Sequence, residues 1–193
     1  GKYRISWDDA SVVIEAGRKR YRLPKAVEDF PESHSRRLLR EVVTERYLMN
    51  CCGLLCEIPR EDLGGLKPLA SHDKQIADFC SWRGLLVIAG NRLDAAPDGH
   101  YFRADDGVGL WFGGIEDIWQ FGKPRGVGGP WRNTSVQPGK PSDPYLMTGF
   151  DEKRLELSHD ADRPVEFTIE IDFLKDGTWV TYDKIAVPPG ATV

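Results

Sequence analysis

No stretch of this sequence approaches the roughly 20 consecutive apolar residues that carry a helix across a bilayer, so no membrane span is expected. An excess of positive charge is missing too: 26 Lys and Arg stand against 30 Asp and Glu, a formal net charge of -4. A nucleic-acid surface needs clustered basic residues to displace counterions, so nucleic acid is not an expected partner. The one basic run, Arg18-Lys19-Arg20 with Arg22, reads as charge on an exposed strand or turn that blocks edge-to-edge pairing. Cysteine is scarce as well. Cys51, Cys52, Cys56 and Cys80 lack the Cys-x-x-Cys spacing of structural zinc sites. They read as small buried apolar side chains, with a disulfide among them as the alternative, and no metal or cofactor is expected.

What is present is the composition of an ordinary globular protein. The 193 residues, 40% hydrophobic, are enough to bury a core in one large or two small domains. Twenty glycines and 13 prolines are spread along the chain, as many short strands and tight turns require.

Hairpins follow from the pattern. Tyr3, Ile5 and Trp7 alternate; Ser11–Glu15 and Lys19–Leu23 then flank Ala16-Gly17. Tyr47–Cys51 and Leu54–Ile58 flank Cys52-Gly53, and Gln75–Ser81 and Leu85–Ala89 flank Trp82-Arg83-Gly84. Gly109–Phe112 and Ile118–Phe121 are expected to form a further hairpin. The last three hairpins recur at a loose spacing of roughly 30 residues, as propeller blades would. Ser33–Arg46 carries apolar residues at helical spacing, but Val42 and Val43 are β-branched, so a strand is expected from about Arg40, with a short helical turn before it left open. Near the end, Val165, Phe167, Ile169, Ile171 and Phe173 alternate with polar residues; Asp176-Gly177 turns the chain and Trp179–Val187 returns. The fold expected is all-β: antiparallel propeller-like blades over residues 1–121, a Gly/Pro-rich connector over 122–144, and β-sandwich-like strands over 145–193.

Three runs carry a family resemblance: Glu45-Arg46-Tyr47-Leu48-Met49-Asn50-Cys51, Asp78-Phe79-Cys80-Ser81-Trp82-Arg83-Gly84-Leu85-Leu86-Val87, and Gly122-Lys123-Pro124 to Gly128-Gly129-Pro130-Trp131. They resemble large bacterial proteins of uncharacterised function that join a β-propeller to a C-terminal β-sandwich and are distantly sialidase-like. Cys52 stands where such relatives often carry a His after the Asn-Cys pair. Asp176-Gly177-Thr178-Trp179 is similar to a sialidase aspartate box but lacks its leading Ser, and reads as a plain hairpin turn. The resemblance implies a carbohydrate-associated protein with a secreted or periplasmic parent, a chain that is a fragment at both ends, and exposed strand edges open to pairing with another copy.

Candidate chemistry rests on polar groups in or beside apolar segments. A histidine near carboxylates can serve as general acid and base, which singles out His72 with Asp73 and Asp78. Glu45, Arg46 and Asn50 form the matching set on the preceding hairpin. Glycoside hydrolysis needs two carboxylates at a defined separation, and Glu45, Asp78, Glu116 and Asp117 are the candidates. Glu45, His72 and Asp78 are the catalytic candidates. Of six tryptophans, Trp82 and Trp131 are expected to be the exposed ones, because each sits in a turn or a Gly/Pro loop. With Arg46, Asn50, Arg83, Lys123 and Arg125 they make the candidate ligand-binding set, the cations being suited to an acidic sugar. Three functions follow as expectations: a glycan-acting propeller enzyme, a non-catalytic module that binds glycan or protein, or a structural remnant with no activity of its own. Converging carboxylates would mark the first; exposed aromatics without such a pair would mark the second.

Overall fold

A computed structural model describes residues 3–26, 38–43, 46–59, 63–90, 99–103, 105 and 109–193. The chain is all-β and divides into two compact units, Gly1–Asp151 and Glu152–Val193.

Among the described residues, the first unit holds three antiparallel sheets. Strands β1 (Arg4–Trp7), β2 (Val12–Ala16) and β3 (Lys19–Leu23) form the first, in that order. Strands β4 (Leu38–Val42), β5 (Arg46–Cys51), β6 (Leu54–Ile58) and β7 (Lys67–Ser71) form the second, a simple meander. The third, from β8 (Asp78–Trp82), β9 (Leu85–Ala89), β10 (Tyr101–Arg103) and β11 (Gly109–Gly113), runs in the order β10-β11-β9-β8. Two-residue turns set the hairpin registers. Cys52-Gly53 and Arg83-Gly84 both lie at positive φ, at 48° and 75° and at 50° and 83°, the backbone of turns that match strand twist.

The second sheet is buried on both faces. Alternation sends Met49, Cys51, Leu54, Cys56 and Ile58 to one side, where they pack with Val12, Ile14 and Leu23 of the first sheet. Leu48, Leu55 and Leu69 go to the other side, against Phe79, Leu86, Ile88 and Trp111 of the third. The three sheets are therefore joined by two apolar layers. The free face of the first sheet is polar: Arg4 and Arg20 flank Glu15, and buried Arg22 donates to Asp8 (2.8 Å) and to Asp143 (3.0 Å). Partial desolvation raises the Asp8 carboxyl, but the Arg22 hydrogen bond and charge outweigh it and hold the group below the usual carboxylate range. The basic run thus ends in a buried, paired arginine rather than in solvent.

One expected strand is corrected here. Ile118–Phe121 is no strand; Ile115–Phe121 forms a 3-10 helix. The Asp117 carboxylate accepts the Gly114 N–H at 2.7 Å, and Ile115 and Ile118, three apart, bury the same side of the helix. β11 pairs instead with β9 and β10. The Gly/Pro-rich stretch has a place of its own: residues 122–151 belong to the first unit and include a strap that hydrogen-bonds along the open edge of β3 and to the β1–β2 turn. Lys25 and Val127 exchange backbone hydrogen bonds, Arg22 N–H donates to Pro144 O, and Gly129 N–H donates to Ala10 O at 3.1 Å. Gly128, at φ 149°, lies so close that a Cβ there would fall 2.5 Å from Ala10 O.

In the second unit β12 (Val165–Ile171) pairs with β13 (Val180–Val187), with a bulge between Ile169 and Glu170. Val165, Phe167, Ile169 and Ile171 are half-buried and their neighbours exposed, as the alternation predicts. Asp172 and Asp176 accept the N–H groups of Gly177 and Thr178, shaping the connecting loop, and Phe173 lies exposed in it. Among the described residues, no helix is long and apolar enough to cross a membrane.

The double-sided burial has a measurable signature. Leu55→Ala, at a fully buried position of the second sheet, is expected to cost about 3 kcal/mol in urea unfolding. Val180→Ala, at an exposed position of the second unit, should lie within about 0.5 kcal/mol of wild type.

Candidate functional site

His72 follows β7 directly and is 4% exposed. Its Nδ1 accepts the Lys74 N–H at 3.1 Å, so the ring proton sits on Nε2, which donates to Asn50 Oδ1 at 2.8 Å. Burial pushes the ring pKa down to about 4, and the Lys74 charge adds to the shift. At neutral pH the imidazole is an uncharged tie between β5 and the end of β7. Beside it, Ser71 Oγ donates to Arg125 O (3.0 Å) and accepts the Arg125 N–H (2.7 Å), pinning the strap to the second sheet.

The remaining candidates separate. Asp78 Oδ1 accepts the N–H of Phe79, and Oδ2 meets Arg40 at 3.2 Å, so Asp78 and His72 share no hydrogen bond. Arg46 lies between Glu57 and Glu116, at 3.8 and 3.7 Å. Lys123 is exposed and paired with Asp151 at 2.7 Å. Arg125 is exposed and held through its backbone, and Trp131 stands in the exposed stretch of the strap. Glu45 lies outside the described residues, so its place beside Arg46 and Asn50 is not described. Of the expected sets, the structure joins His72 to Asn50, Arg46 to Glu116 and Trp82 to Arg83.

That last pair belongs to a surface the sequence pattern concealed. Because Phe79, Leu86, Ile88 and Trp111 face the core, the alternate residues of the third sheet face outward. Trp82 is 51% exposed, with the Arg83 guanidinium 4.9 Å from its ring. Phe112 meets Trp82 edge-on at 6.2 Å, and Phe102, 54% exposed, meets Phe112 at 5.6 Å. Leu85 is exposed beside Trp82, Leu110 and Phe112 are half-buried, and Val87 is buried beneath them. An aromatic chain thus runs across the outer face from β8 through β11 to β10, its two ends, Trp82 and Phe102, exposed to water. Phe102, Phe112 and Leu85 were not among the sequence candidates. The available signal was that Leu85–Ala89 and Gly109–Phe112 are apolar at consecutive positions, which makes both faces of those strands apolar.

The tryptophans also sort differently from expectation. Trp82 and Trp131 are exposed as expected, but Trp119 on the 3-10 helix, at 57%, is more exposed than either, and Trp179 is exposed too. Trp111 is core, stacked on His100 at 5.5 Å. Among the described residues, no group of three or more His, Cys, Asp or Glu side chains is placed to hold a metal ion, and Cys51, Cys52, Cys56 and Cys80 are all unbridged. Comparison with known proteins gives no match to any family model, curated protein or solved structure.

His72 carries a pH dependence. Its folded pKa lies below its unfolded value near 6.5, so the unfolded chain binds more protons in that window and stability falls as pH drops from about 6.5 toward 4. Unfolding in urea is expected to lose on the order of 2 kcal/mol between pH 7.5 and pH 5 through this group. His72→Gln should remove that part of the slope, and the ring proton resonances of His72 should not titrate above pH 5.

Proposed function

We propose that this chain is a non-catalytic binding module that docks through the outer face of its third sheet. The observation that carries the reading is the Trp82–Phe112–Phe102 chain, exposed at Trp82 and Phe102 and half-buried at Phe112, with exposed Leu85 and half-buried Leu110 beside it. Soluble proteins rarely leave a contiguous apolar patch of this kind in water unless it meets a partner. Aromatic anchors and an arginine at the margin are what interface centres are enriched in. The placement of the polar candidates supports the same choice: His72 is neutral and tied to Asn50, and Asp78 is paired with Arg40. The resemblance to propeller-bearing bacterial proteins is part of this proposal. Three antiparallel sheets stacked in chain order, with β4–β7 as a simple meander, support it, whereas the β10-β11-β9-β8 order departs from a plain blade.

A carbohydrate ligand is the second reading, favoured by the open Trp82 indole with Arg83 beside it. Sugar rings stack on such apolar faces, and a guanidinium can hold an acidic sugar by charge-assisted hydrogen bonds.

Both readings are tested on one pair of variants. In dilute solution the wild-type chain is expected to enhance the fluorescence of the apolar dye ANS, and Trp82→Glu with Phe102→Glu together should lower that signal roughly fivefold. An unchanged signal with a folded variant would reject the docking face. For the carbohydrate reading, a panel of neutral and acidic polysaccharides cast into native gels should retard the wild type and not Trp82→Ala; equal mobility across the panel would rule that ligand class out.

A further inference from the structure

We infer that the free edge of β12, in the second unit, takes a further strand: an extended segment of another protein that alternates apolar with basic residues. The third sheet and its outer face play no part in it. The backbone itself names the kind of occupant. The sheet of the second unit has two strands, so each of them is an edge. Among the described residues, no hydrogen bond reaches the N–H and C=O groups on the far side of β12. Another strand satisfies such a row in full, and a two-stranded ribbon is marginal until a third strand or a cover is added. The side chains agree. Val165, Phe167, Ile169 and Ile171 are β-branched or aromatic, the types that fit a pleated surface, and they are still only half-buried.

The two edges differ. That of β13 is guarded: Tyr182 is the extra residue of the bulge, Asp183 stands opposite Ile169 and so lies on the apolar face, and Lys184 follows it. Bulges, inward-pointing charges and edge lysines are the devices that turn other strands away. β12 alternates regularly and has none of these. What it carries is acid on its polar face, through exposed Glu166 and Glu170 with Thr168 between them. Lys184 meets Glu166 at 3.6 Å with both side chains more than half exposed, so the pair is weak and leaves the carboxylate open to a second cation. Glu170 lies opposite Thr181 and has no ion-pair partner among the described residues. A second copy of β12, laid antiparallel and centred on Thr168, would set Glu166 against Glu170 twice, and like charges directly opposite destabilise a strand pair. A shifted register relieves that only by shortening the pairing. A strand with Lys or Arg at those two places meets both carboxylates and lays its apolar residues beside Phe167 and Ile169. The chain's net charge of -4 favours the approach of such a cationic segment as well.

The probe is the capped peptide Val-Lys-Val-Thr-Val-Lys-Val, which reads the same in both directions and so matches β12 antiparallel or parallel. Its counterpart carries Glu in place of both Lys. Titrated into the full chain in a calorimeter, the lysine peptide is expected to bind, and the glutamate peptide about tenfold more weakly, since two attractions become two repulsions at an exposed edge. Glu166→Lys with Glu170→Lys, folded by circular dichroism, should reverse that order. Hydrogen exchange supplies a measure that needs no variant and decides the matter where the double variant does not fold. Alternate amides of Val165–Ile171, those pointing away from β13, should exchange fast in the free chain. With the lysine peptide at about ten times its dissociation constant they should slow about tenfold. Trp82→Glu with Phe102→Glu should bind the peptide as the wild type does. Absence of heat and of added protection at roughly 1 mM peptide overturns the inference. So do equal affinities for the two peptides, or protection confined to residues outside β12. Loss of binding in the Trp82 and Phe102 variant would move the peptide to the third sheet and overturn the edge as its seat.

Discussion

Burial of the second sheet on both faces is the constraint from which the rest of the first unit follows. A strand that is apolar on alternate positions needs one cover; β5 and β6 are apolar on nearly every position and need two. The first sheet supplies one through Val12, Ile14 and Leu23, and the third supplies the other through Phe79, Leu86, Ile88 and Trp111. Polar groups survive in this sheet where they are satisfied. Asn50 and His72 pair with one another, and Ser71 is occupied by the backbone of the strap. An unpaired amide or imidazole there would cost on the order of 1–3 kcal/mol, which explains why the pair is neutral and closed rather than open to a substrate.

The hairpins can be read from the sequence because their information is local. Cys52-Gly53 and Arg83-Gly84 sit between apolar runs and dictate register on their own, and the alternation from Val165 to Ile171 needs no tertiary context. The 3-10 helix escapes such a reading because Ile118 and Phe121, taken as a short apolar run, look like a strand; the deciding contact is Asp117 with the Gly114 N–H. Arg22 looks like surface charge because its carboxylate at Asp143 is 121 positions away.

The site is less legible still. His72 can be picked out as a polar group worth attention, but whether it faces a carboxylate or an amide depends on which strands neighbour each other, and the chain places it against Asn50. Asp78 is claimed by Arg40 from a different sheet. The outer face of the third sheet is hidden for a simple reason. A run such as Leu85–Ala89 says that both sides of a strand are apolar, and nothing in its periodicity says that only one of them is covered.

The strap has a consequence for how the molecule comes to exist. Arg22 and Lys25 lie near the beginning of the chain, yet their partners Asp143, Pro144 and Val127 lie more than 100 residues later. On a ribosome, the first sheet would emerge with Arg22 able to meet Asp8 and Ser11, but with Asp143 still to come and the edge of β3 unpaired until the strap arrives. Contacts of such long sequence separation close late and slowly. Completion of the earliest strands is thus the last act of the unit's assembly, and the glycine at 128, which lets the strap lie flat on Ala10, is the latch.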